Sequence, residues 1–400
     1  MSGKMIIAGT GCALADNLYT GVRFNAPLFL KYLSQKSGDG GLMPGKLVFT
    51  EELEKFSGVP YAEICNELTG GAAPAAINIG GPGLVSLINA SQLLDRNDFE
   101  VRFYGGSGSD ETASLIEQLV RKTPLNISHY NEVSEKRTPF TDVLSDVTYD
   151  NNHGERSFIN NIGAAWDYTP DHLGDDFFES DIVCFGGTAL VPQIHDNLTA
   201  LLKRAKRNGC ITVVNTVFDF RNEKKNPGAP WPLIDIPDNY FLIDVLIMDC
   251  EESIRISGKN TIEEAARYFY SQNVGAMIIT NGAKDLYAFS NGDLFDKTEL
   301  IRLPVSKKVA DDISRDPSLK GDTTGCGDNF AGGVIASMAI QLKTGDIGKL
   351  SLTEAIAWGI ASGGFTCFYV GGAYIENIEG EKLSIVSEFK NQYIKQIASL

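Results

Sequence analysis

The chain has 400 residues, 43% of them apolar, which is enough to bury a core as one large domain or two smaller ones. It carries 51 acidic residues against 35 basic ones, a formal net charge of -16, and no extended run of Lys or Arg. Because such a surface repels nucleic acid and anionic membrane, neither is an expected partner. An anionic ligand would have to be held locally, by backbone N–H groups, a metal ion or single cations.

The cysteines and the apolar stretches indicate a reducing compartment. The seven cysteines form no C-x-x-C pair, and no stretch of the sequence approaches the length of a membrane-spanning helix. The N-terminal apolar run is too short for a signal peptide, so we predict a cytoplasmic protein. The four histidines are not spaced as metal ligands, which argues against a zinc site.

Short apolar runs alternate with helix-like stretches along the chain. Each run is rich in β-branched residues and apolar on both faces, which is typical of buried strands in a parallel sheet. Helical patterns at 196–208 and 260–272 separate several runs and are followed by Gly209 and Gly275 as stop signals. The alternation predicts βαβ units in a three-layer α/β/α fold. The runs are residues 4–8, 181–185, 211–214, 244–248 and 276–280.

Two regions break this alternation. Residues 14–60 and 101–161 hold short apolar clusters between polar turns, a pattern that predicts antiparallel strands outside the parallel core. We expect these strands to form a small β-sheet lid over the body of a single domain spanning residues 1–400. Because the exposed edges of lid strands can pair with a second copy, a homodimer through the lid is a further expectation.

Two of the glycine-rich stretches resemble nucleotide-binding turns incompletely. IIAGTGCALAD at 6–16 has the G-x-G of a dinucleotide turn, but Leu14 stands near the place of the third glycine, so the stretch does not indicate nicotinamide binding. Residues 40–47 nearly match a phosphate-binding P-loop. Leu47 replaces the magnesium-binding hydroxyl there, and we interpret the stretch as a turn.

Two further glycine-rich stretches lead into helices. GGAAPAAINIGG at 70–81 fits a tight turn before a packed helix or a backbone that approaches a polar ligand, and both interpretations stay open. FYGGSGSDETASLIEQL at 103–119 predicts a helix capped by Ser109 or Asp110.

The stretch GDTTGCGDNFAGG at 321–333 is more informative. Apolar residues follow it at helical spacing, so Gly325, Cys326 and Gly327 form the turn at a helix N-terminus, where unpaired N–H groups and the helix dipole favour an anion. Asp328 stands in the first turn of that helix, as a capping carboxylate or as a general base. An acid beside an anion site is useful when the anion is a transferred phosphoryl group and the acid takes a proton from the attacking hydroxyl. The pattern therefore favours phosphoryl transfer.

This stretch resembles the C-terminal signature D-T-x-G-A-G-D-x-F of the ribokinase-like (PfkB-type) carbohydrate kinases. Other segments agree in order. Gly70-Gly71 resembles the family's di-glycine motif, FYGGSGSDE its G-x-x-G-x-D segment, and TNGAKDLYAF, from Thr280, its nucleotide turn. The resemblance covers nearly the whole chain. It implies a three-layer α/β/α sandwich with a mainly parallel central sheet and a β-sheet lid, and transfer of the γ-phosphoryl group of ATP to a hydroxyl with Mg2+.

The resemblance also implies a role for each matching residue. Asp328 would be the catalytic base, and Gly325, Cys326 and Gly327 would supply the anion hole. The other assignments concern the substrate, the nucleotide and the metal. Substrate would be bound by Asp16, Gly70, Gly71 and Asn78, ATP by Thr280, Asn281, Gly282 and Thr324, and magnesium by Asp249 and Glu252, which match an N-x-x-E motif.

The sequence departs from the family pattern at three positions. Cys326 stands where Ala is usual, but its backbone N–H is unchanged, so we expect the anion hole to survive. Asp249 stands where Asn is usual and adds negative charge near the phosphates, which implies a greater dependence on magnesium. Ala75 stands where the first motif usually has Asn, with Asn78 three residues later, so a standard pentose-binding mode is not expected.

The substrate is left open at this point. A sugar or sugar derivative is the leading expectation, and Arg221, in a stretch that loosely resembles fructokinase-like members, is expected at the surface. A nucleoside such as adenosine is an alternative, because residues 40–53 resemble adenosine-kinase-like members. A catalytically silent sugar- or nucleotide-binding homologue is the third possibility, and turnover of ATP would exclude it.

Overall fold

The computed structural model describes residues 3–36, 38–344 and 348–399. Its strands divide between two sheets, and the chain passes from one sheet to the other several times before residue 182. In chain order the strands are β1 (Met5–Gly11), β2 (Leu14–Tyr19), β3 (Leu47–Phe49), β4 (Ala76–Gly80), β5 (Phe99–Ser107), β6 (Asn126–Glu132), β7 (Phe140–Asp146), β8 (Glu155–Asn161), β9 (Ile182–Gly186), β10 (Ile211–Asn215), β11 (Val245–Asp249), β12 (Ala276–Thr280), β13 (Leu286–Ser290) and β14 (Thr298–Leu303).

The larger sheet contains nine of the described strands, in the order β14-β13-β12-β11-β10-β9-β1-β5-β6. Neighbours from β12 to β6 in this order pair in parallel, and β13 and β14 add antiparallel strands at one edge. The chain extends from β1 to β5 and β6 on one side, and later from β9 to β14 on the other. The reversal between β1 and β9 is a topological switch point, where open parallel sheets bind ligands beyond the carboxyl ends of their strands.

Both faces of the large sheet are buried under helices. Along β9, Ile182 and Cys184 enter one apolar core while Val183 and Phe185 enter the other. Because neither face meets water, the strands need no alternating polar residues, which is why the five apolar runs of the sequence are continuous. These runs form β1, β9, β10, β11 and β12, and the predicted three-layer architecture is confirmed.

The helices differ in which layer they occupy. The core on one face is built largely from α4, α13, α14 and α15, and the core on the other from α8 and α11. The predicted helices at 196–208 and 260–272 correspond to α8 and α11. The helices are α1 (Pro27–Lys31), α2 (Thr50–Ser57), α3 (Tyr61–Thr69), α4 (Pro82–Leu93), α5 (Glu111–Val120), α6 (Tyr149–Asn152), α7 (Pro192–Asp196), α8 (Leu198–Arg207), α9 (Phe220–Lys225), α10 (Cys250–Ser257), α11 (Ile262–Ser271), α12 (Lys307–Arg315), α13 (Cys326–Thr344), α14 (Leu352–Thr366) and α15 (Glu381–Ile397).

The smaller sheet has the order β3-β8-β7-β2-β4 and is mixed rather than purely antiparallel. Strand β2 pairs antiparallel with β4 and parallel with β7, while β8 pairs antiparallel with β7 and parallel with β3. Helices α1, α2 and α3 pack against this sheet around a separate apolar cluster that includes Phe29, Tyr32, Leu53 and Ile64. This sheet with its three helices is called the lid below.

The predicted bounds of the lid were wrong in two places. Strands β5 and β6 lie within or next to the predicted range 101–161 but belong to the large sheet, and β4 lies outside both predicted ranges but belongs to the lid. The reason is visible in β5, where the more buried residues Phe99, Val101 and Phe103 alternate with partly exposed ones. That period is typical of a half-exposed strand, although β5 pairs in parallel with β1 in the body.

Two expectations about the chain as a whole concern thiols and membranes. All seven cysteines lie within the described residues and are free. Over the same residues, the structure contains no helix with the length and apolar character needed to span a bilayer.

Candidate active site

The signature turn at 321–333 lies at the N-terminus of α13, as the sequence predicts. Gly325 has a φ of +77°, and a Cβ built there would lie 2.6 Å from Cα of Gly372, so only glycine fits. Helix α13 begins at Cys326, and the N–H of Asn329 donates to the carbonyl of Gly325 at 2.9 Å. The Cys326 thiol lies 3.8 Å from that of Cys367. The side chain that departs from the family pattern is therefore used in packing, while its backbone shapes the turn.

Asp328 stands in the first turn of α13 and is only partly exposed. Burial raises the pKa of its carboxyl group to about 7, because desolvation penalises the charged form. Its charge in turn raises the pKa of Asp16 and of Glu252, after the larger effect of their own burial. The structure thus brings the predicted base together with a predicted substrate residue and a predicted metal residue.

Asp16 approaches from the lid. It lies on β2, opposite Asn78 of β4 and Thr141 of β7. Burial and, after it, the charge of Asp328 raise its pKa to about 7, and a hydrogen bond from the Thr141 hydroxyl opposes the shift. Asn78 is partly exposed and lies against Gly371, since a Cβ at Gly371 would meet its Cγ at 2.7 Å. Asp16 and Asn78 are therefore neighbours at the junction of lid and body.

Gly80 and Gly81 are site residues that the sequence analysis missed. A Cβ at Gly80 would lie 2.3 Å from Oδ2 of Asp16, and Gly81 has a φ of +94° at the start of α4. Gly80 thus permits close approach of the Asp16 carboxylate, and Gly81 permits close approach of the backbone at Cys12 and Ala13. The signal was present, because this second glycine pair ends a strand and is followed by Pro82, a residue typical of the first position of a helix.

The first glycine pair has a different place. Gly70 ends α3 with a φ of +65°, and Gly71 follows with a φ of +74° and donates its N–H to the carbonyl of Asn66. Both are exposed and precede β4, whose opposite end carries Gly80. The predicted tight turn is present, but the structure does not bring this pair next to Asp16. Their role in substrate binding stays a prediction.

Arg156 is a third residue that the sequence analysis missed. It extends from lid strand β8 to the signature turn, where its guanidinium lies 3.3 Å from Oδ2 of Asp322 and 3.3 Å from Oγ1 of Thr324. Its charge also opposes the rise in the pKa of Asp16. The net charge left single cations as one of three ways to hold an anionic ligand, and Arg156 is the one basic residue of β8.

Asp249 and Glu252, the predicted metal pair, form a capping box at the start of α10. Oδ1 of Asp249 accepts from the N–H of Glu252 at 2.8 Å, and Oε2 of Glu252 accepts from the N–H of Asp249 at 3.0 Å. The hydroxyl of Thr216 also donates to Oε2 of Glu252 at 2.6 Å. Burial and, after it, the charge of Asp249 raise the pKa of Glu252 to about 8. The sequence predicted that Asp249 and Glu252 belong together, but not that they cap the same helix.

The predicted nucleotide residues fall in two places. Thr280 ends β12 directly opposite Asp249 of β11, and Asn281 and Gly282 form the following turn, with a φ of +58° at Gly282. Thr324 lies in the signature turn instead, where its N–H donates to Oδ1 of Asp322 at 2.9 Å. The first three thus lie at the carboxyl edge of the sheet beside the capping box.

The chain was compared with protein families and with solved structures. A family model described as "pfkB family carbohydrate kinase" matches residues 76–378. A structure described as "probable sugar kinase protein" from Rhizobium etli is similar, with a TM-score of 0.66, 14% identity and coverage of 97% of this chain and 100% of that one.

Two further solved structures are similar at low identity. Arabidopsis thaliana ribokinase, complexed with ribose and ATP, gives a TM-score of 0.62 at 16% identity, covering 97% of this chain and 99% of that one. Anopheles gambiae adenosine kinase, in complex with a diadenosine tetraphosphate, gives 0.63 at 21% identity, covering 89% and 94%. These likenesses show a ribokinase-like fold. With the family match over most of its length, the chain belongs to the pfkB family of carbohydrate kinases, phosphotransferases with an alcohol group as acceptor.

Proposed function

We propose that the protein transfers the γ-phosphoryl group of ATP to a hydroxyl of a sugar or sugar derivative, with Asp328 as the general base. The observation that carries the proposal is the place of Asp328 in the first turn of α13, close enough to Asp16 of the lid and to Glu252 to act on the charge of both. Burial raises the pKa of its carboxyl group to about 7. A base with that pKa is matched to neutral pH, since it is ionised enough to act and basic enough to take a proton.

The charge that develops during transfer would be stabilised from two sides. The N–H groups of Gly325 and Gly327 donate to no other group within the described residues, and they lie where the dipole of α13 favours negative charge. Arg156 would add a cation from the lid, because its guanidinium already lies beside Thr324 of the same turn. A lid closed over the acceptor would also exclude water, which would otherwise compete for the phosphoryl group.

Magnesium would be held beside Asp249 and Glu252. The described hydrogen bonds of their capping box use Oδ1 and Oε2, so an oxygen of each carboxylate is available to the ion or to its waters. Over the described residues, no group of three or more acidic, His or Cys side chains could form a full cage. Such a sparse set suits Mg2+, which keeps several waters and binds phosphate oxygens. When bound, the ion would neutralise charge on the phosphates of ATP.

Substrate hydroxyls would be bound between the lid and the body. The carboxylate of Asp16 lies beside Gly80, and Asn78 lies opposite Asp16 on β4. A carboxylate and an amide together can accept from and donate to the hydroxyls of a polyol. A nucleoside is the second candidate, favoured by the similarity to adenosine kinase, and its ribose would meet the same two residues.

The test is consumption of ATP with magnesium by the wild type and by Asp328→Ala, across sugars, sugar acids and nucleosides. We expect one compound class to be turned over by the wild type and the rate to fall by about 10²- to 10⁴-fold in the variant, the usual contribution of a general base. Saturable binding of a compound with no turnover of any would instead identify a silent binding homologue.

A further inference from the structure

A lysine lies fully buried behind the proposed anion hole. Lys382, in the first turn of α15, has no exposed surface, and no carboxylate among the described residues lies within ion-pair distance of its Nζ. Lysines are almost never buried without such a partner, because desolvating the charge is costly. Nζ donates instead to two side-chain amide oxygens, Oε1 of Gln92 at 3.1 Å and Oδ1 of Asn329 at 2.9 Å.

Asn329 connects this lysine to the signature turn. It directly follows Asp328, is fully buried, and donates through Nδ2 to the carbonyl of Gly325 at 2.9 Å and to that of Gly372 at 2.7 Å. These two glycines are the ones that pack against each other where the turn bends. One amide group therefore ties the turn to the 371–372 loop, and its other end is bound by Lys382.

The lysine decides which way this amide points. An Asn side chain can in principle turn by 180°, which exchanges its oxygen and its NH2 group. In the turned state its oxygen would face two carbonyl oxygens, and its NH2 group would face an amine that acts as a donor. Because Lys382 offers N–H donors at this position, it stabilises the orientation that holds Gly325 and Gly372 together.

We propose that Lys382 is a positioning residue for the anion hole and acts through Asn329; the catalytic part of this inference rests on the proposed function. Burial lowers the pKa of Lys382 to about 7, although the charge of Glu376 opposes the shift. The neutral amine has two N–H donors, which match the two amide oxygens in number. Burying the lysine costs free energy, but its hydrogen bond to Asn329 fixes the backbone beside the catalytic base.

Hydrogen–deuterium exchange of the peptide 321–333 tests the positioning without any turnover. In Lys382→Met the amides of this peptide should exchange about five- to tenfold faster, the factor that one buried hydrogen bond corresponds to. Val386→Ala is the matched control, because Val386 lies one turn further along the same helix, is equally buried, and belongs to the apolar core. It should leave exchange in 321–333 unchanged. Unchanged exchange in Lys382→Met, or equal acceleration in both variants, would overturn the proposal.

Steady-state kinetics with a substrate that the wild type turns over test whether loss of Lys382 slows catalysis. They also test whether Lys382 acts through Asn329. Measured well below the unfolding temperature of every variant, Lys382→Met should lower kcat by about tenfold with little change in KM, because the turn acts on the transition state. The double variant Lys382→Met/Asn329→Ala should be no slower than Asn329→Ala alone, whereas multiplied effects would show that Lys382 does not act through Asn329. If the wild type turns over nothing, the proposed function fails, while the exchange result still decides the positioning.

Discussion

At the scale of single residues, four carboxyl groups of the site share a raised pKa, and Asp249 is one of them. Asp16 and Asp328 rise to about 7 and Glu252 to about 8, in each case chiefly through burial. Neighbouring acids add to this, because the charge of Asp328 raises the pKa of both Asp16 and Glu252. Such a site would need cations to bind phosphate, and Arg156 places one beside Asp322 and Thr324 of the signature turn.

Replacing Arg156 should reduce catalysis much more than stability. Arg156→Ala is expected to lower kcat/KM by about 100-fold, the usual effect of losing one preorganised donor to a developing negative charge. The guanidinium is 35% exposed, so its ion pair with Asp322 should contribute at most about 1 kcal/mol to the free energy of unfolding. Steady-state kinetics and thermal unfolding of the same samples check both points. Arg156→Lys should recover part of the rate, and full activity in Arg156→Ala would contradict the role.

At the scale of elements, what the sequence could predict followed from repeated local patterns. The strands at 211–214 and 276–280 and the helix after 325 were predicted nearly to the residue, because continuous apolar runs and glycine turns depend on few neighbours. The pairing of β2 with β4 and β7 could not be predicted, since it depends on contacts between segments over 50 residues apart. The place of Gly80 beside Asp16 could not be predicted for the same reason, because only the fold shows which glycine lies next to this carboxylate.

The turn into α13 should not tolerate a side chain at its first glycine. Gly325→Ala places a methyl group 2.6 Å from Cα of Gly372 at a positive φ, and we expect a loss of about 1–3 kcal/mol in the free energy of unfolding. Gly327→Ala is the control for stability, because a Cβ there meets nothing within 4 Å and alanine favours a helix. Denaturant unfolding of both variants decides the point, and equal stability would show that the turn is not strained.

Substitutions in the capping box of α10 can distinguish its contribution to stability from its contribution to metal binding. Asp249→Asn keeps a good N-cap residue, so the unfolding free energy should change by less than about 0.5 kcal/mol. Glu252→Gln removes the second carboxylate. The magnesium concentration for half-maximal rate should rise by about tenfold or more in this variant, because Mg2+ binds through few carboxylates. Titration of the rate with MgCl2 measures this, and an unchanged midpoint in Glu252→Gln would remove the pair from the metal site.

At the scale of the whole molecule, the lid is joined to the body by buried apolar residues and by contacts around the site. Ala15 of β2 and Ile79 of β4 belong to the core of the body. Besides Arg156, Lys224 of α9 forms an ion pair with Glu52 of α2, and Phe49 packs edge-on against Phe220. The ion pairs are partly exposed, which would suit a part that opens and closes. The sequence predicted a lid, but its contacts with the body come from side chains with no local pattern.

The pH dependence of kcat/KM for phosphoryl transfer by the wild type tests the central claim most directly. Asp328 accepts a proton only when it is ionised, and burial raises its pKa to about 7. The rate should therefore be low near pH 5, rise through about pH 7 and level off above pH 8. Asp328→Asn should show no such rise and only residual turnover at every pH. A flat wild-type profile across this range, or an Asp328→Asn variant that keeps the wild-type rate, would contradict the account.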